Sequence, residues 1–342
     1  MSYKSFQNKY LSFFLIICLF LLNNKKKRPK ISVFLPTYNK EQYIQKNIQI
    51  IQNQTLKDIE IVVVNDFSSD MTLNKLMDLA KIDNRIKIVN NDKNHGLLYS
   101  RAMGILNSSG EYIMNVDPDD ELENNDNLEY LYNITKIFNV DIISFNFYDQ
   151  RRNKIFKCKN RNKIEKQPEL FYSIFGKNNV IKDFFIWNKL VKRKIFLKAY
   201  QDFKEAIYNG KWNYFEDDIW NILVNRYAKS KLCVNKLIYN YTYNKDSLMS
   251  KRYGLIEFYN LLYRHQMYKK IFKTKADKKY LFAEYFFLFN RLKRKVNHLL
   301  IINDKIINNQ INNIFMNFIQ EGKCTRKEKK KINKFLKLIK VL

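Results

Sequence analysis

Residues 113–122 read Ile-Met-Asn-Val-Asp-Pro-Asp-Asp-Glu-Leu, so Asp117, Asp119 and Asp120 crowd the end of an apolar run with strand character. Carboxylates packed this closely repel one another unless a positive charge neutralises them. A divalent cation does so well, because Mg²⁺ and Mn²⁺ take hard oxygen ligands and commonly share them with phosphate groups. The chemistry expected of the cluster is therefore a metal–diphosphate site.

Such a site needs elements that hold it, and the residues before it supply an alternating series. Strand-like runs at Ile31–Leu35, Ile59–Val64, Ile86–Val89, Glu111–Val116 and Val140–Phe145 alternate with helical spacing over Glu41–Gln52, Leu73–Ala80, Leu97–Leu106 and Leu128–Phe138. This alternation predicts an α/β fold, a mostly parallel sheet flanked by helices. In such sheets ligands bind beyond the carboxyl ends of the strands. The segments Pro36-Thr-Tyr-Asn39, Asn65-Asp-Phe-Ser-Ser-Asp70, Asn94-His-Gly96 and Asp117-Pro-Asp-Asp120 each follow one of the first four strands, which puts all four on that edge.

After residue 150 the alternation fades. Residues 151–168 are charged and irregular, Ile186–Phe196 and Phe215–Tyr227 are local elements, and residues 255–300 are helical and rich in Tyr, Phe and Leu. Residues 301–314 are an Ile/Asn low-complexity stretch. Residues 323–342 combine lysines with Ile332, Phe335, Leu336, Ile339 and Leu342 at helical spacing, as expected of a basic-faced helix packed on the domain or, alternatively, lying on an anionic membrane. The divisions expected are 1–30, 31–150, 151–252 and a helical C-terminal extension over 253–342.

The formal net charge of +29 is unevenly spread. Residues 31–150 hold 10 Lys and Arg against 18 Asp and Glu, whereas residues 151–342 hold 45 against 15. No aromatic–basic recognition motif accompanies the excess, so no nucleic-acid partner is expected. The four cysteines include no close pair, indicating neither a disulfide framework nor a zinc site, and His95, His265 and His298 are too scattered for a histidine metal site. Leu11–Leu22 is an apolar run of twelve residues flanked by lysines and followed by no small-residue cleavage site. It is short for a membrane span. The expectation is an uncleaved single-pass anchor whose heavier positive flank, residues 25–30, keeps the rest of the chain on the cytosolic side. In the opposite orientation Asn53, Asn107, Asn133 and Asn240 would open glycosylation sequons.

Read in register, Ser32-Val-Phe-Leu-Pro-Thr-Tyr-Asn39, Val64-Asn-Asp-Phe-Ser-Ser-Asp70, Asn94-His-Gly96, Ser100-Arg101, Gly110-Glu-Tyr-Ile113, Asp117-Pro-Asp-Asp120, Ile186-Trp-Asn-Lys-Leu-Val191, Phe215-Glu-Asp-Asp218 and Ile238-Tyr-Asn-Tyr241…Ser247 resemble the family 2 glycosyltransferases of the GT-A (Rossmann-like) fold. The resemblance covers about residues 30–252, and the last ninety residues carry no motif of it. It implies inverting, Mn²⁺- or Mg²⁺-dependent transfer of a sugar from a nucleotide sugar, most commonly UDP-linked, to a hydroxyl of a glycan, lipid or protein acceptor. Asp119, with Asp120 or Asp117, would hold the metal; three aspartates fit the short motif, so the ligand set stays open. Asp66 would bind the base or ribose, Pro36, Tyr38 and Asn39 would shape the nucleoside pocket, and Arg101 would approach the base or phosphates, with Asp117 also on the donor side. Asp217, in the Glu216-Asp217 pair, would be the general base, and Asp218 is the neighbour most easily mistaken for it. Trp187, a residue expected chiefly in the core, and the Tyr239/Tyr241 pair would offer aromatic surface to sugar rings.

Plainer roles compete: Asp66 capping the next helix, Glu216-Asp217 as a solvated helix start, Arg101 in a surface ion pair. Two positions depart from the pattern. Asn65 stands where aspartate is common, and Phe67 where glycine is common, which predicts a turn without positive φ. The competing function is a non-catalytic GT-A domain that binds nucleotide sugar or glycan. A nucleotidyltransferase is disfavoured, since Pro36-Thr-Tyr-Asn39 replaces the glycine-rich basic loop that would follow the first strand.

Overall fold

A computed structural model describes residues 28–158, 162–171, 185–208, 213, 215–244, 255–274, 277–294, 305–320 and 326–340. The Leu11–Leu22 segment and Ser247 lie outside them. The first half follows the expected alternation: β1 (Ile31–Thr37), α1 (Ile44–Gln52), β2 (Ile59–Asn65), α2 (Thr72–Ile82), β3 (Ile86–Asn90), α3 (Leu97–Asn107), β4 (Tyr112–Asn115), β5 (Glu121–Leu122), α4 (Asn127–Phe138) and β6 (Ile142–Asp149). The second half contributes β7 (Lys154–Phe156), β8 (Ile164–Lys166), β9 (Lys189–Lys192), α5 (Arg193–Tyr208), α6 (Glu216–Tyr227) and β10 (Ser230–Tyr241). Four helices follow: α7 (Leu255–Ile271), α8 (Lys278–Arg294), α9 (Lys305–Gln320) and α10 (Arg326–Lys340).

The strands form one sheet in the order β3-β2-β1-β4-β9-β6-β10-β5, with β7 beside β6 and β8 beside β10. β1 runs parallel to β2 and β4, β2 to β3, and β6 to β10, while β9 is inserted antiparallel between β4 and β6. All four loops singled out in the sequence thus leave the same edge of the sheet. Side chains alternate across a strand, and β1 shows the consequence. Ile31, Val33 and Leu35 enter the core under Ile44, Ile48 and Ile51 of α1, while Phe34 enters the opposite core with Leu98, Ala102 and Ile105 of α3. Two glycines permit close approaches. Gly96, at φ 91°, starts α3 in a backbone conformation that side chains disfavour. A Cβ on Gly110 would fall 2.6 Å from the Ser32 backbone nitrogen where β4 enters beside β1.

The C-terminal helices do not form a core of their own. Leu261, Tyr268, Leu288, Ile307, Phe315 and Phe335 belong to the same buried cluster as Phe34 and Trp220. The low-complexity stretch is helical from Lys305, with Ile307, Ile311 and Phe315 buried at four-residue intervals; biased composition conceals an ordinary apolar stripe. In α10 Ile332, Phe335 and Leu336 are buried while Lys329, Lys330, Lys331, Lys334 and Lys337 face outward, the basic-faced packed helix. No described helix is long and apolar enough to cross a membrane.

Two expectations are corrected. Cys158 and Cys233 form a disulfide across a Cα–Cα distance of 6.0 Å, although 75 positions apart; pairing depends on distance in space, which sequence spacing does not report. Phe67 sits at φ 61° despite its side chain. Its turn is fixed by neighbours: Asp66 N donates to the Thr37 carbonyl at 2.8 Å, Ser68 N to Asn65 Oδ1 at 3.3 Å and Ser69 N to Asn39 Oδ1 at 2.9 Å. Local propensity yields to this framework.

Candidate active site

The loops after β1 and β2 are laced together. Glu41 N donates to Asp70 Oδ2 at 3.1 Å, Met71 N returns a bond to Glu41 Oε2 at 2.8 Å, and Lys40 N donates to Thr72 Oγ1 at 2.8 Å. Asn39, itself at φ 50°, donates through its backbone to Ser68 Oγ at 3.0 Å. This lacing leaves Tyr38 46% exposed at the rim of a cavity of about 960 Å³. Pro36, Tyr38, Asn39, Asp66, Arg101, Asp117, Asp119, Asp120 and Asp217 all line that cavity, as do Trp187 and Tyr241; Tyr239, also expected to offer a ring to sugars, is instead fully buried.

Their roles within it differ from one another. Asp66 is buried, and its carboxylate accepts from Asn91 Nδ2 at 2.8 Å, His95 N at 2.9 Å and Gly96 N at 2.8 Å. It fixes the Asn94–Gly96 loop and the start of α3, rather than capping the helix that follows it. Asp120 is also engaged by protein donors: Tyr239 Oη donates to Oδ2 and Thr242 N to Oδ1, both at 2.8 Å. Burial, with Asp117 and Asp119 alongside, pushes its carboxyl well above the ordinary aspartate range. Asp119 faces Lys40 Nζ at 2.7 Å and Asn244 Nδ2 at 2.8 Å, both directed to Oδ2.

Arg101 is 1% exposed, which removes the surface-pair reading. Its Nη2 donates to Asp117 Oδ1 at 3.1 Å, while Nη1 lies 3.4 Å from Glu216 Oε1 and in direct contact with Asp217 Oδ1. One guanidinium therefore spans Asp117 on the donor side and the first turn of α6. Burial raises the Glu216 carboxyl, with Arg101 opposing that shift. Asp217 keeps a side chain 21% exposed and faces the cavity. Trp187 is buried, stacked on Tyr239 at 4.7 Å and Tyr241 at 5.4 Å, and Trp187 and Tyr241 line the cavity together with Phe156 and Phe185.

Among the described residues no cluster of three or more His, Cys, Asp or Glu side chains is arranged to hold a metal. The donor set still suits Mg²⁺ or Mn²⁺, which are commonly bound by one or two carboxylates with phosphate oxygens completing the shell. Asp119, with Asp117 next to it, fits that role. Asp120, with both oxygens bonded to protein, fits it less well than the sequence implied. Lys40, Asn244 and Arg291 also line the cavity and were not singled out from the sequence. Lys40 directly follows the Pro-Thr-Tyr-Asn run, a signal that was available; Arg291 lies in the motif-free region, where none was.

Residues 32–198 match the family model for glycosyl transferase family 2. The chain is 32% identical over 228 residues to the glycosyltransferase GlyA of Streptococcus pneumoniae, covering 64% of this chain and 31% of GlyA. It is 30% identical over 223 residues to an uncharacterized glycosyltransferase, EpsJ, of Bacillus subtilis, covering 64% and 63%. The chain thus spans less than two thirds of the length of either relative. The crystal structure of Staphylococcus aureus TarS residues 1–349 in complex with UDP-GlcNAc superposes with a TM-score of 0.61 at 18% identity, over 77% of this chain and 73% of that one, a likeness of fold. The donor-side loops, the aspartate cluster and the β4–β9 junction all lie in the matched region, so residues 32–198 carry the likeness to glycosyl transferase family 2, on a sheet of the GT-A fold.

Proposed function

We propose that this protein is an inverting glycosyltransferase that moves a sugar from a nucleotide sugar to an acceptor hydroxyl with a divalent cation at Asp119. The observation that carries the reading is the single cavity in which Asp66 and its loop, Asp117, Asp119 and Asp217 converge, with Arg101 joining the two sides. UDP is the favoured nucleotide, in keeping with the UDP-GlcNAc held by TarS.

In this reading the Pro36–Asn39 turn and the Asn94–Gly96 loop, the latter fixed by Asp66, enclose the nucleoside. Asp119 faces the diphosphate, and the bound Mn²⁺ or Mg²⁺ supplies charge stabilisation for the departing nucleotide. Asp217, which lines the same cavity, accepts the proton of the acceptor hydroxyl as it attacks the face opposite the leaving group, which inverts the configuration. Arg101 fixes the Asp217 carboxylate in place, and the Trp187–Tyr241 stack offers a flat apolar wall to a sugar ring. Asp120 holds the β10 end through Tyr239 and Thr242 rather than ligating the metal.

Attachment to a membrane through Leu11–Leu22 belongs to the proposal, with a glycan, lipid or protein as acceptor. Charged substitutions at Leu15 and Leu19 should release the protein from washed membranes; unchanged retention would rule the anchor out. Titration of UDP, GDP, CDP and dTDP into the full chain, with and without Mn²⁺, tests the core of the reading. Metal-enhanced binding of one nucleotide, lost in Asp119→Ala, is expected. Binding of none of them by folded protein would overturn the reading. Nucleotide binding with neither transfer nor donor hydrolysis would favour the non-catalytic alternative.

A further inference from the structure

The motif-free C-terminal helices reach the reacting end of the cavity. Arg264 of α7 is fully buried, and its Nη1 donates to Asp218 Oδ2 at 2.8 Å while its Nη2 meets Glu284 Oε2 of α8 at 2.5 Å. Asp218 is 4% and Glu284 0% exposed. The same guanidinium lies 5.7 Å from the ring centroid of Phe215, and Arg291 of α8 lies 5.4 Å from it. Phe215 is the residue before α6, held at φ 65°, and it sets the direction in which that helix starts.

We propose that Arg264 is a positioning residue for Asp217, and that α7 and α8 are thereby a working part of the active site. This inference rests on the reading of Asp217 as the base. Successive helical residues point about 100° apart, so with Asp218 held by Arg264, the rotation of the first turn is fixed and Asp217 is directed to Arg101. The turn is pinned between two buried arginines, Arg101 from α3 and Arg264 from α7. Stability alone is a poor reason for such an arrangement. Taking an arginine and two carboxylates out of water costs about as much as their attraction returns, and apolar side chains of similar volume often do as well. What charged groups supply here is a fixed direction. A base displaced by about 1 Å loses on the order of 100-fold in rate.

The test uses the full chain, comparing wild type with Arg264→Met and Glu284→Gln. Three quantities are measured: UDP affinity with Mn²⁺, turnover of UDP-glucose, UDP-galactose and UDP-GlcNAc per folded molecule, and amide hydrogen exchange over residues 215–220. Arg264→Met should lower turnover by about 100-fold with unchanged UDP affinity, and exchange over 215–220 should accelerate while that of α1 and α4 does not. Glu284→Gln, which keeps size and hydrogen bonding, should give a smaller loss of about 10-fold in the same pattern; it carries the test if Arg264→Met does not fold. Unchanged turnover and exchange in the variants would overturn the proposal, as would a fall in UDP affinity matching the fall in turnover, the mark of general loosening. If wild type binds UDP but turns over none of the sugars, the transferase reading fails, and the exchange data alone decide whether Arg264 holds the turn.

Discussion

Arg101 and Asp217 form an ion pair between α3 and α6, and the same guanidinium holds Asp117 at 3.1 Å. The side chain that holds Asp117 on the donor side therefore also orients the proposed base. Asp217→Asn removes the proton acceptor and the charge of the Arg101 pair while leaving an amide oxygen for the guanidinium, and should lower transfer by about 10²–10⁴-fold with UDP binding intact. Arg101→Lys replaces a planar fork by a point charge that does not bridge both partners and should weaken UDP binding as well as transfer. Steady-state rates paired with calorimetric titration separate the two. Loss of UDP binding in Asp217→Asn equal to its loss of transfer would show that Asp217 is not the base.

Asp119 and Asp120 are adjacent but differently placed, and their variants should part accordingly. Asp119→Ala should abolish the Mn²⁺ enhancement of UDP binding at little cost in stability. Asp120→Asn turns an amide group toward one of two donors, Tyr239 Oη and the Thr242 amide, and should destabilise the fold by about 1–3 kcal/mol. Thermal melts and UDP titrations on both variants give the comparison, and an exchange of the two phenotypes would assign the metal to Asp120.

Phe67 holds a left-handed conformation and is 56% exposed. That backbone costs a side-chain-bearing residue roughly 1–2 kcal/mol, while glycine loses about 0.5–1 kcal/mol of chain entropy in exchange. Phe67→Gly should thus raise stability by up to about 1 kcal/mol, read as a higher urea midpoint at constant slope.

Glu284 gives the buried cluster a pH signature. Burial pushes its carboxyl from the ordinary 4.5 up to about 7, against the opposing pull of Arg264. The folded state therefore binds more protons than the unfolded one between these values, so the contribution of Glu284 to stability is complete below about pH 4.5 and is lost as pH rises through about 7. Glu284→Gln removes that loss. The melting temperature of the variant relative to wild type should climb between these pH values and level off above them.

The Cys158–Cys233 bridge closes a long loop between the strand-poor segment after β7 and β10. Its reduction should lower stability by about 2–4 kcal/mol. Alkylation followed by intact-mass measurement, before and after reduction, should show two thiols that become reactive only on reduction. Labelling of both without reductant would exclude the bridge.

The alternation of β1 to β4 with α1 to α3 was legible because each element carries its own period, two for strands and 3.6 for helices, and because parallel strands joined by helices send their loops to one edge. That was enough to put the loops carrying Asp66, Asp117 and Asp119 on one edge of the sheet, whereas Arg101 and Asp217 joined the candidate site only through the family resemblance. The strands of the second half were not legible. β10 is interrupted by Lys231, Asn235 and Lys236, and β9 is four residues long inside a stretch that reads equally well as the start of α5. Its antiparallel insertion between β4 and β6 is settled by pairing partners distant in the chain. Which oxygens already accept hydrogen bonds was likewise decided only in three dimensions. Asp119 and Asp120 are the same residue type side by side, and only the approach of Tyr239 and Thr242 to one and of Lys40 and Asn244 to the other tells them apart. The same holds for Arg264 and Glu284. Nothing in their local sequence marks them, because their meaning comes from the packing of α7 and α8 against α6, and burial turns an ordinary surface pair of charges into one with a fixed direction.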